Sequence, residues 1–315
     1  MIFDIYMKAS LPSGVWPVML TPFLEGGGID EPAVDSLTDW YIDQGAAGLF
    51  AVCLSSEMYE LSPEERLALA GRVVRRAAGR LPVVAAGTFG GAVKDQAEFA
   101  RKMSATGVQN VIVIVNQFAA QGENEEILRE RLDRFLGLTD PIALGLYECP
   151  VPYHRLLSPA LLGWAAATGR FFFHKDTSCV PALIRAKLEA VRGTPLRWFN
   201  ANSPTLLDSL LAGGAGYSGI AVNFIPRLYV RLCAHFRSHP GEALRLQHFL
   251  SVADMVARHL YPASAKRFLS RCGVPIGPVC RIMPAPDFQE EELLILEHLM
   301  ALAEEWDAKL PRDEA

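Results

Sequence analysis

The sequence predicts an α/β fold, a (β/α)8 TIM barrel with a C-terminal helical extension. The chain has 315 residues, of which 50% are hydrophobic, and this is enough for one large barrel with a substantial core. Eight short apolar runs alternate with amphipathic segments. After the eighth unit only helical patterns follow. We therefore predict the barrel at 11–238 and a three-helix extension packed on it at 239–315.

The strand predictions rest on runs of aliphatic and aromatic residues bounded by glycine, proline or polar residues. Strands that are covered on both faces have this continuous apolar character, as in a parallel sheet clad by helices. The eight predicted strands are Val15–Thr21, Ala47–Cys53, Pro82–Gly87, Asn110–Val115, Ile142–Glu148, Phe171–Asp176, Arg197–Asn202 and Tyr217–Val222.

Predicted helices follow each strand, and several carry start signals. Ser62, Ser158 and Ser203 each precede a proline, which places a capping hydroxyl before a proline at the first helical position. Strand–helix units in series close a parallel barrel because each crossover is right-handed. The predicted helices are Glu31–Gln44, Ser62–Ala78, Ala92–Thr106, Glu123–Leu136, Ser158–Ala167, Val180–Val191, Ser203–Ala212, Ile225–Ser238, Gly241–Leu260, Ala263–Cys272 and Phe288–Lys309.

Charge and cysteine content narrow the possible functions. The formal net charge is -5 with both signs interspersed, so no nucleic-acid or membrane partner is expected. The six cysteines form no C-x-x-C pair and the histidines form no H-x-H or H-E-x-x-H, so we predict no metal and no cofactor. Reduced thiols, and an N-terminus that lacks signal-peptide features, indicate a cytoplasmic protein.

The run Phe171–Asp176 places a lysine at the end of a predicted buried strand. Of the seven lysines in the chain only Lys175 ends an apolar run, whereas the others lie in polar or amphipathic sequence. Burial disfavours an ammonium group and lowers its pKa, and a neutral amine can attack a carbonyl to form a Schiff base. The alternative is a lysine at the strand end whose ammonium reaches the surface.

Tyr147 ends the preceding predicted strand. Active sites of such barrels lie at the carboxyl ends of the strands, so Tyr147 and Lys175 meet at the mouth if their faces point inward. A phenol in that place can shuttle a proton. Alternatively, Tyr147 is an aromatic plug whose hydroxyl is bonded to the backbone. Strand alternation predicts that the neighbouring Glu148 faces outward.

The second predicted strand ends in the segment Cys53–Glu57, which contains two serines. A turn of successive backbone amides with hydroxyl groups can hold a carboxylate. Taken alone, a plain loop with helix-capping serines is the simpler interpretation of this segment.

In this order, on eight strand–helix units, these segments resemble the dihydrodipicolinate synthase / N-acetylneuraminate lyase family of Schiff-base aldolases. The resemblance extends from about Gly14 to about Leu299. The matching segments are Thr21-Pro22-Phe23 for the T-P-F of the family, Leu54–Glu57 with Leu61-Ser62 for G-T-T-G-E and L-S, Leu146–Pro150 for Y-N-x-P, Lys175–Ser178 for K-[DE]-[AT]-S and Asn223–Arg227 for N-x-x-P-R.

The resemblance implies a lyase or aldolase that binds a 2-oxo acid, usually pyruvate, as an imine of Lys175. Tyr147 would be the proton shuttle, and the substrate carboxylate would lie against the amides of Ser55 and Ser56. The resemblance also implies a homo-oligomer, either a tetramer or a dimer. Further residues expected around the substrate are Leu54, Phe118, Asn202, Ser203, Gly219 and Ile220.

The sequence departs from the family pattern at several of these positions. Leu54 and Phe118 stand at or near the places of a threonine and a second tyrosine that relay a proton in the synthases, and neither can do so. Ser56 replaces a glycine, which matters if a positive φ is needed there. Pro152 stands at the place of a carboxylate-binding arginine. Asn202-Ser203 replaces acidic residues and offers neutral hydrogen bonds.

Three functions remain open from the sequence. The leading prediction is an imine-forming aldolase or lyase of a 2-oxo acid. A sugar-acid dehydratase could use the same lysine, and it would keep all substrate carbons in one product. A binding protein that has kept the barrel without turnover would account for the missing relay hydroxyls.

Overall fold

The computed structural model describes residues 11–284 and 286–309. Phe171–Asp176 forms a strand with the expected bounds, and each of the other seven strands is shorter than predicted. The strands are β1 Gly14–Val15, β2 Leu49–Val52, β3 Val83–Ala86, β4 Asn110–Ile114, β5 Leu144–Tyr147, β6 Phe171–Asp176, β7 Arg197–Asn200 and β8 Gly216–Tyr217.

Helices separate the strands, as the sequence predicts. Short 3-10 helices follow four strands, at Leu54–Ser56, Val115–Gln117, Ser203–Thr205 and Ile220–Asn223. The α-helices are α1 Glu31–Asp43, α2 Pro63–Ala77, α3 Val93–Ser104, α4 Glu125–Leu138, α5 Pro159–Ala167, α6 Pro181–Ala190, α7 Leu206–Leu211, α8 Pro226–His235, α9 Pro240–Arg258, α10 Ala263–Arg271 and α11 Glu290–Lys309.

The eight strands form one parallel sheet in the order β1-β8-β7-β6-β5-β4-β3-β2. A parallel bridge between Val18 and Phe50 joins the two ends of this sheet. Two backbone hydrogen bonds support the bridge, from Met19 N to Phe50 O at 3.0 Å and from Phe50 N to Pro17 O at 3.0 Å. The sheet is therefore curled into a barrel, and the predicted fold class is confirmed.

The first and last strands are much shorter than predicted. β1 ends at Val15 rather than Thr21, and β8 ends at Tyr217 rather than Val222. Pro17 has no N–H to donate, which interrupts the ladder just after β1. The predicted end of β8 is instead occupied by the 3-10 helix Ile220–Asn223. The apolar residues of both segments are still buried, so burial alone did not distinguish strand from turn.

Aromatic side chains fill the barrel below its mouth. The Phe173 ring centre lies 5.4 Å from that of Trp16 and 4.6 Å from that of Phe199, and Phe50 contacts Phe173 edge-on at 5.9 Å. All four are fully buried. Gly145 makes room for them, because a Cβ there would lie 2.8 Å from the Phe173 Cβ. This packing closes the floor of the barrel, so a ligand must enter at the mouth.

The C-terminal helices pack against the barrel and contribute to its mouth. Gln247 of α9 accepts a hydrogen bond from Leu207 N at 2.8 Å and donates one to Ser203 O at 2.7 Å. The division of the chain at residue 239 stays a prediction. Among the described helices none is both long and apolar enough to cross a bilayer.

Candidate active site

Lys175 and Tyr147 face the same cavity at the carboxyl ends of neighbouring strands. They are register partners in the β5–β6 pairing, and Lys175 Nζ lies 4.5 Å from the centre of the Tyr147 ring. Both side chains are almost completely buried, with residue exposures of 4% for Lys175 and 2% for Tyr147. The structure therefore brings the amine and the phenol together at the mouth, as the strand alternation predicts.

Burial changes the acidity of Lys175. Loss of solvation lowers the pKa of its ammonium from 10.5 to about 8, although the nearby Cys53 and Cys149 oppose the shift. With that pKa about a tenth of the amine is uncharged at pH 7, compared with less than about a thousandth for an exposed lysine. The side chain is thus a usable nucleophile near neutral pH.

Burial raises the pKa of the Tyr147 phenol well above its ordinary range, and the neighbouring Cys149 thiol raises it further. The Cys149 sulfur in turn lies 4.0 Å from the hydroxyl of Tyr59. Tyr59 donates a hydrogen bond to Val151 O at 3.0 Å and accepts one from Gln117 Nε2 at 3.3 Å. Tyr147, Cys149 and Tyr59 are thus neighbouring groups that each carry an exchangeable proton, and we name them the phenol–thiol chain.

Sequence reasoning missed the phenol–thiol chain. Burial raises the pKa of the Tyr147 phenol well above its ordinary range and also raises that of the Cys149 thiol, so both groups hold their protons. Tyr59 is only partly buried, so the chain leads from the cavity toward the surface. A weak signal was present, because Cys149 follows Tyr147 by two residues and such residues share a side of an extended segment.

The segment after β2 forms the 3-10 helix Leu54–Ser56, and part of it faces the cavity. Leu54 and Ser55 line the cavity. The Ser56 hydroxyl instead bonds within the turn, accepting from Cys53 N at 2.8 Å and donating to Cys53 O at 2.7 Å. The left-handed residue is Glu57, with φ of 58°, and not Ser56. A serine in place of glycine at 56 therefore introduces no left-handed backbone strain.

Seven of the ten residues predicted around the substrate line one cavity of about 350 Å³. Phe118 does not, because its buried ring packs edge-on against Phe135 in the helical layer, with ring centres 5.0 Å apart. Ser56 and Ser203 do not line it either, since their hydroxyls are bonded inside the fold. The seven residues that line the cavity are Leu54, Ser55, Tyr147, Lys175, Asn202, Gly219 and Ile220.

Ser203 is the centre of a buried network rather than a ligand-facing residue. Its hydroxyl lies 2.8 Å from the Tyr217 hydroxyl and 2.7 Å from the Tyr229 hydroxyl. It also donates to Asp254 Oδ1 at 2.9 Å. Asp254 Oδ2 accepts from Arg258 Nε at 2.8 Å and from Nη2 at 2.6 Å, so the network orients an arginine that lines the cavity.

A buried ion pair ties the C-terminal region to the mouth. Glu57 Oε1 accepts from Lys266 Nζ at 2.7 Å, and both side chains are fully buried. Glu57 Oε2 accepts from the backbone amides of Arg281 at 2.5 Å and Ile282 at 2.9 Å. Ile282 lines the cavity, so Glu57 positions part of its wall. The amphipathic sequence around Lys266 did not predict this burial.

A third buried lysine, Lys187, lies behind Lys175, outside the barrel wall. Lys187 Nζ donates to Glu148 Oε1 and to Asp176 Oδ2, both at 2.6 Å. His174 completes the cluster, and all four side chains of Glu148, His174, Asp176 and Lys187 are fully buried. Burial acts to raise the pKa of Asp176, but His174 and Lys187 hold it below its ordinary range. Glu148 faces away from the mouth, as strand alternation predicts.

Two carboxylates and the imidazole of this cluster are spaced closely enough to be ligands of one metal ion. Ligand atoms of Glu148, His174 and Asp176 lie within 4.8 Å of one another, a grouping that the sequence pattern did not indicate. The Lys187 ammonium, however, already bonds to both carboxylates and supplies the compensating positive charge. The cluster is best described as a charge-balanced support behind β6.

A cavity at the mouth of such a barrel, lined by an amine of lowered pKa and a phenol, is typical of barrel enzymes that act on small molecules. Comparison with known proteins identifies the family. The profile of the Dihydrodipicolinate synthetase family matches residues 11–302, so the chain belongs to that family and the resemblance seen in the motifs is confirmed.

Similar proteins include synthases and an aldolase. A 4-hydroxy-tetrahydrodipicolinate synthase from Gluconacetobacter diazotrophicus is 24% identical over 300 residues, covering 93% of this chain and 98% of the relative. A putative 2-dehydro-3-deoxy-D-gluconate aldolase from Escherichia coli, YagE, is 28% identical over 238 residues, covering 73% of this chain and 76% of YagE. The protein is accordingly an enzyme, a lyase of the class I aldolase type.

Solved structures share the fold. YagE from Escherichia coli in complex with pyruvate superposes with a TM-score of 0.82 at 23% identity, covering 93% of this chain and 98% of YagE. A monomeric dihydrodipicolinate synthase variant superposes with a TM-score of 0.84 at 18% identity, covering 96% of this chain and 99% of the variant. At these identities the comparison supports the architecture.

Proposed function

We propose that this protein is a Schiff-base-forming lyase or aldolase that acts on a 2-oxo acid of the pyruvate type through Lys175. The observation that carries the proposal is the placement of Lys175 Nζ 4.5 Å from the Tyr147 ring centre, in a cavity where burial lowers the amine pKa to about 8. The pyruvate complex of YagE, a protein of the same family, supports an oxo acid as the ligand.

The proposed reaction begins when the uncharged Nζ of Lys175 adds to the carbonyl carbon of the oxo acid. One proton passes from nitrogen to the former carbonyl oxygen and a second one reaches this oxygen from solvent, so the oxygen leaves as water and a protonated imine remains. Tyr147 is the nearby group that can carry protons to and from these atoms. The bond that then breaks joins the carbon next to the imine carbon to the rest of the substrate. The positively charged imine accepts the electron pair of this bond and becomes an enamine.

The turn after β2 is proposed to hold the substrate carboxylate. Ser55 lines the cavity, and backbone amides of the 3-10 helix Leu54–Ser56 supply further donors. Gly219 exposes bare backbone to the opposite wall, since a Cβ there would lie 2.3 Å from the Tyr217 hydroxyl oxygen and 2.5 Å from Ala201 O. A side chain at 219 would therefore clash with the cavity wall itself.

Proton exchange between Tyr147 and solvent is proposed to use the phenol–thiol chain. In this family the sequence resemblance implies a threonine and a second tyrosine for that task, and this chain has Leu54 and Phe118 instead. The Cys149 thiol and the partly buried Tyr59 hydroxyl provide other groups that can carry a proton. Loss of the family relay is therefore compatible with turnover.

The proposal is tested by trapping the imine. Borohydride added to the protein with pyruvate should attach one reduced pyruvate to Lys175, located by peptide mass spectrometry. Lys175→Ala should trap nothing and turn nothing over, whereas Lys102→Ala, at an exposed lysine, should behave like the wild type. Turnover by Lys175→Ala, or an adduct on another lysine, would contradict the proposal.

Product analysis then distinguishes the finer alternatives. Cleavage gives two carbon fragments, whereas dehydration of a sugar acid leaves all carbons in one product. An imine that is trapped without turnover of any oxo acid would indicate a binding protein. We also propose a cytoplasmic homo-oligomer, tetramer or dimer, as the resemblance implies, and sedimentation analysis of the purified protein tests the assembly.

A further inference from the structure

The cavity contains an arginine that the proposed imine chemistry does not use. Arg258, the last residue of α9, lines the same cavity as Lys175. Its side chain is 50% exposed, whereas Lys175 is 4% exposed, so Arg258 lies nearer the solvent end of the cavity. An arginine side chain placed there would meet the part of a substrate that is remote from the imine.

The Arg258 side chain is held in place from the protein interior. Its Nε and Nη2 donate to the same oxygen of Asp254, at 2.8 and 2.6 Å. The other Asp254 oxygen accepts from the buried Ser203 hydroxyl, which also contacts two buried tyrosines. Within the described part of the chain, Nη1 of Arg258 has no hydrogen-bond partner. The guanidinium is therefore fixed, with one donor edge left for a ligand.

Asn202 presents a second donor to the same cavity. Its Oδ1 accepts a hydrogen bond from Thr205 Oγ1 at 3.0 Å, which leaves the Nδ2 group as the remaining hydrogen-bonding function of the amide. Among the described residues, none accepts a hydrogen bond from the Nδ2 group of Asn202. Asn202 Nδ2 and Arg258 Nη1 are thus both free hydrogen-bond donors. Two donors suit an oxyanion, whose oxygens only accept hydrogen bonds.

The acidic groups of the cavity are already matched with cations. Asp254 is paired with Arg258, and Glu57 is paired with Lys266 and two backbone amides. The described lining therefore offers no unpaired carboxylate that would repel an anionic ligand end. Arginine forks bind planar oxyanions more strongly than neutral oxygens, because both charge and geometry contribute.

We propose that Arg258 and Asn202 form an oxyanion-binding subsite in the outer part of the cavity. This inference rests on the proposed function, and it deepens it by defining the substrate class. The substrate is a 2-oxo acid, or a product of its aldol reaction, with a carboxylate or phosphate at the end remote from the oxo group. Arg258 binds this group and selects the substrate, while Lys175 and Tyr147 perform the chemistry.

The test compares oxo acids that differ only in the charge at the far end. Borohydride trapping on Lys175 is titrated with 2-oxoglutarate and its terminal amide, with 2-oxoadipate and its terminal amide, and with a phosphonate analogue. In the wild type at least one acidic compound should reach half-saturation at a concentration about tenfold or more below that of its amide. The phosphonate shows whether phosphate or carboxylate is preferred.

Variants then assign the preference to the subsite. Arg258→Gln should abolish the difference between acid and amide. Arg245→Gln, an exposed arginine on the same helix outside the cavity lining, should keep the difference. Absence of any preference in the wild type, or its persistence in Arg258→Gln, overturns the subsite. Failure of the wild type to trap pyruvate overturns the proposed function instead.

Discussion

Tyr147 and Lys175 are paired across neighbouring parallel strands, and their side chains meet at the barrel mouth with 4.5 Å between Nζ and the ring centre. The register of the two strands fixes this pairing, so it does not depend on the conformation of a loop. The aromatic floor below and the wall of C-terminal helices above exclude water from the amine. This exclusion lowers the amine pKa and prepares it for attack on a carbonyl.

The rate of imine formation with pyruvate should depend on the protonation of Lys175. Its lowered pKa of about 8 means that the reactive neutral amine increases as pH rises through about 8. We expect the rate to rise about tenfold per pH unit below that value and to level off above it. Rapid-quench borohydride trapping measures the rate. A flat profile between about pH 6 and pH 8 would show that another group limits the reaction.

Lys175 should make the fold less stable than a neutral residue would. Its folded pKa lies below its unfolded value of 10.5, so the cost is fully present below about pH 8 and disappears as pH rises toward 10.5. Lys175→Met should therefore increase the free energy of unfolding by about 3 kcal/mol at neutral pH. Urea unfolding at neutral and alkaline pH checks this, since the gain must shrink at alkaline pH.

The phenol–thiol chain predicts a specific effect of Cys149 and Tyr59. Cys149→Ala or Tyr59→Phe should slow exchange of the methyl protons of pyruvate with deuterated solvent about 10- to 100-fold, because protons no longer pass to and from Tyr147. Trapping of the imine should persist. NMR measures the exchange, Cys149→Ser should restore it, and Cys272→Ala at an exposed cysteine is the control. Unchanged exchange in both variants would exclude this route.

The buried cluster behind β6 should depend strongly on Lys187. Lys187→Met leaves two buried carboxylates without their shared cation and should lower the free energy of unfolding by about 3–5 kcal/mol. Lys102→Met, which removes an exposed helical pair with Glu98, should change the free energy of unfolding far less. Chemical denaturation measures both. Combining Lys187→Met with neutral replacements of both carboxylates should recover stability, and no recovery would argue against charge as the cause.

Glu57 should hold in place the backbone around Arg281 and Ile282. Glu57→Gln removes the charge that pairs with Lys266 and weakens the bonds to two backbone amides. Trypsin should then cleave after Arg281 about tenfold faster under native conditions, and the half-saturation concentration for oxo acids should rise because Ile282 lines the cavity. Mass spectrometry locates the cut. Equal cleavage in Glu57→Gln and in the exposed control Glu60→Gln would refute this role.

Local sequence patterns were sufficient for much of the fold. The alternation of apolar runs and capped amphipathic segments predicts eight strand–helix units, and strand β6 has its expected bounds. The strand-end positions of Tyr147 and Lys175 could also be predicted, because side-chain alternation and the place of the barrel mouth follow from strand geometry. The lengths of β1 and β8 could not be predicted, since buried turns and buried strands share the same apolar composition.

By itself, the sequence determined the barrel, the amine and the phenol, because each depends on interactions among near neighbours or on repeated units. Only the tertiary structure decided which charges are buried and what surrounds the cavity. Lys266 pairs with Glu57 across 209 positions of sequence, and Arg258 reaches the mouth from a helix outside the eight units. The ionisation and the role of a side chain depend on groups that folding brings near, so no local pattern could specify them.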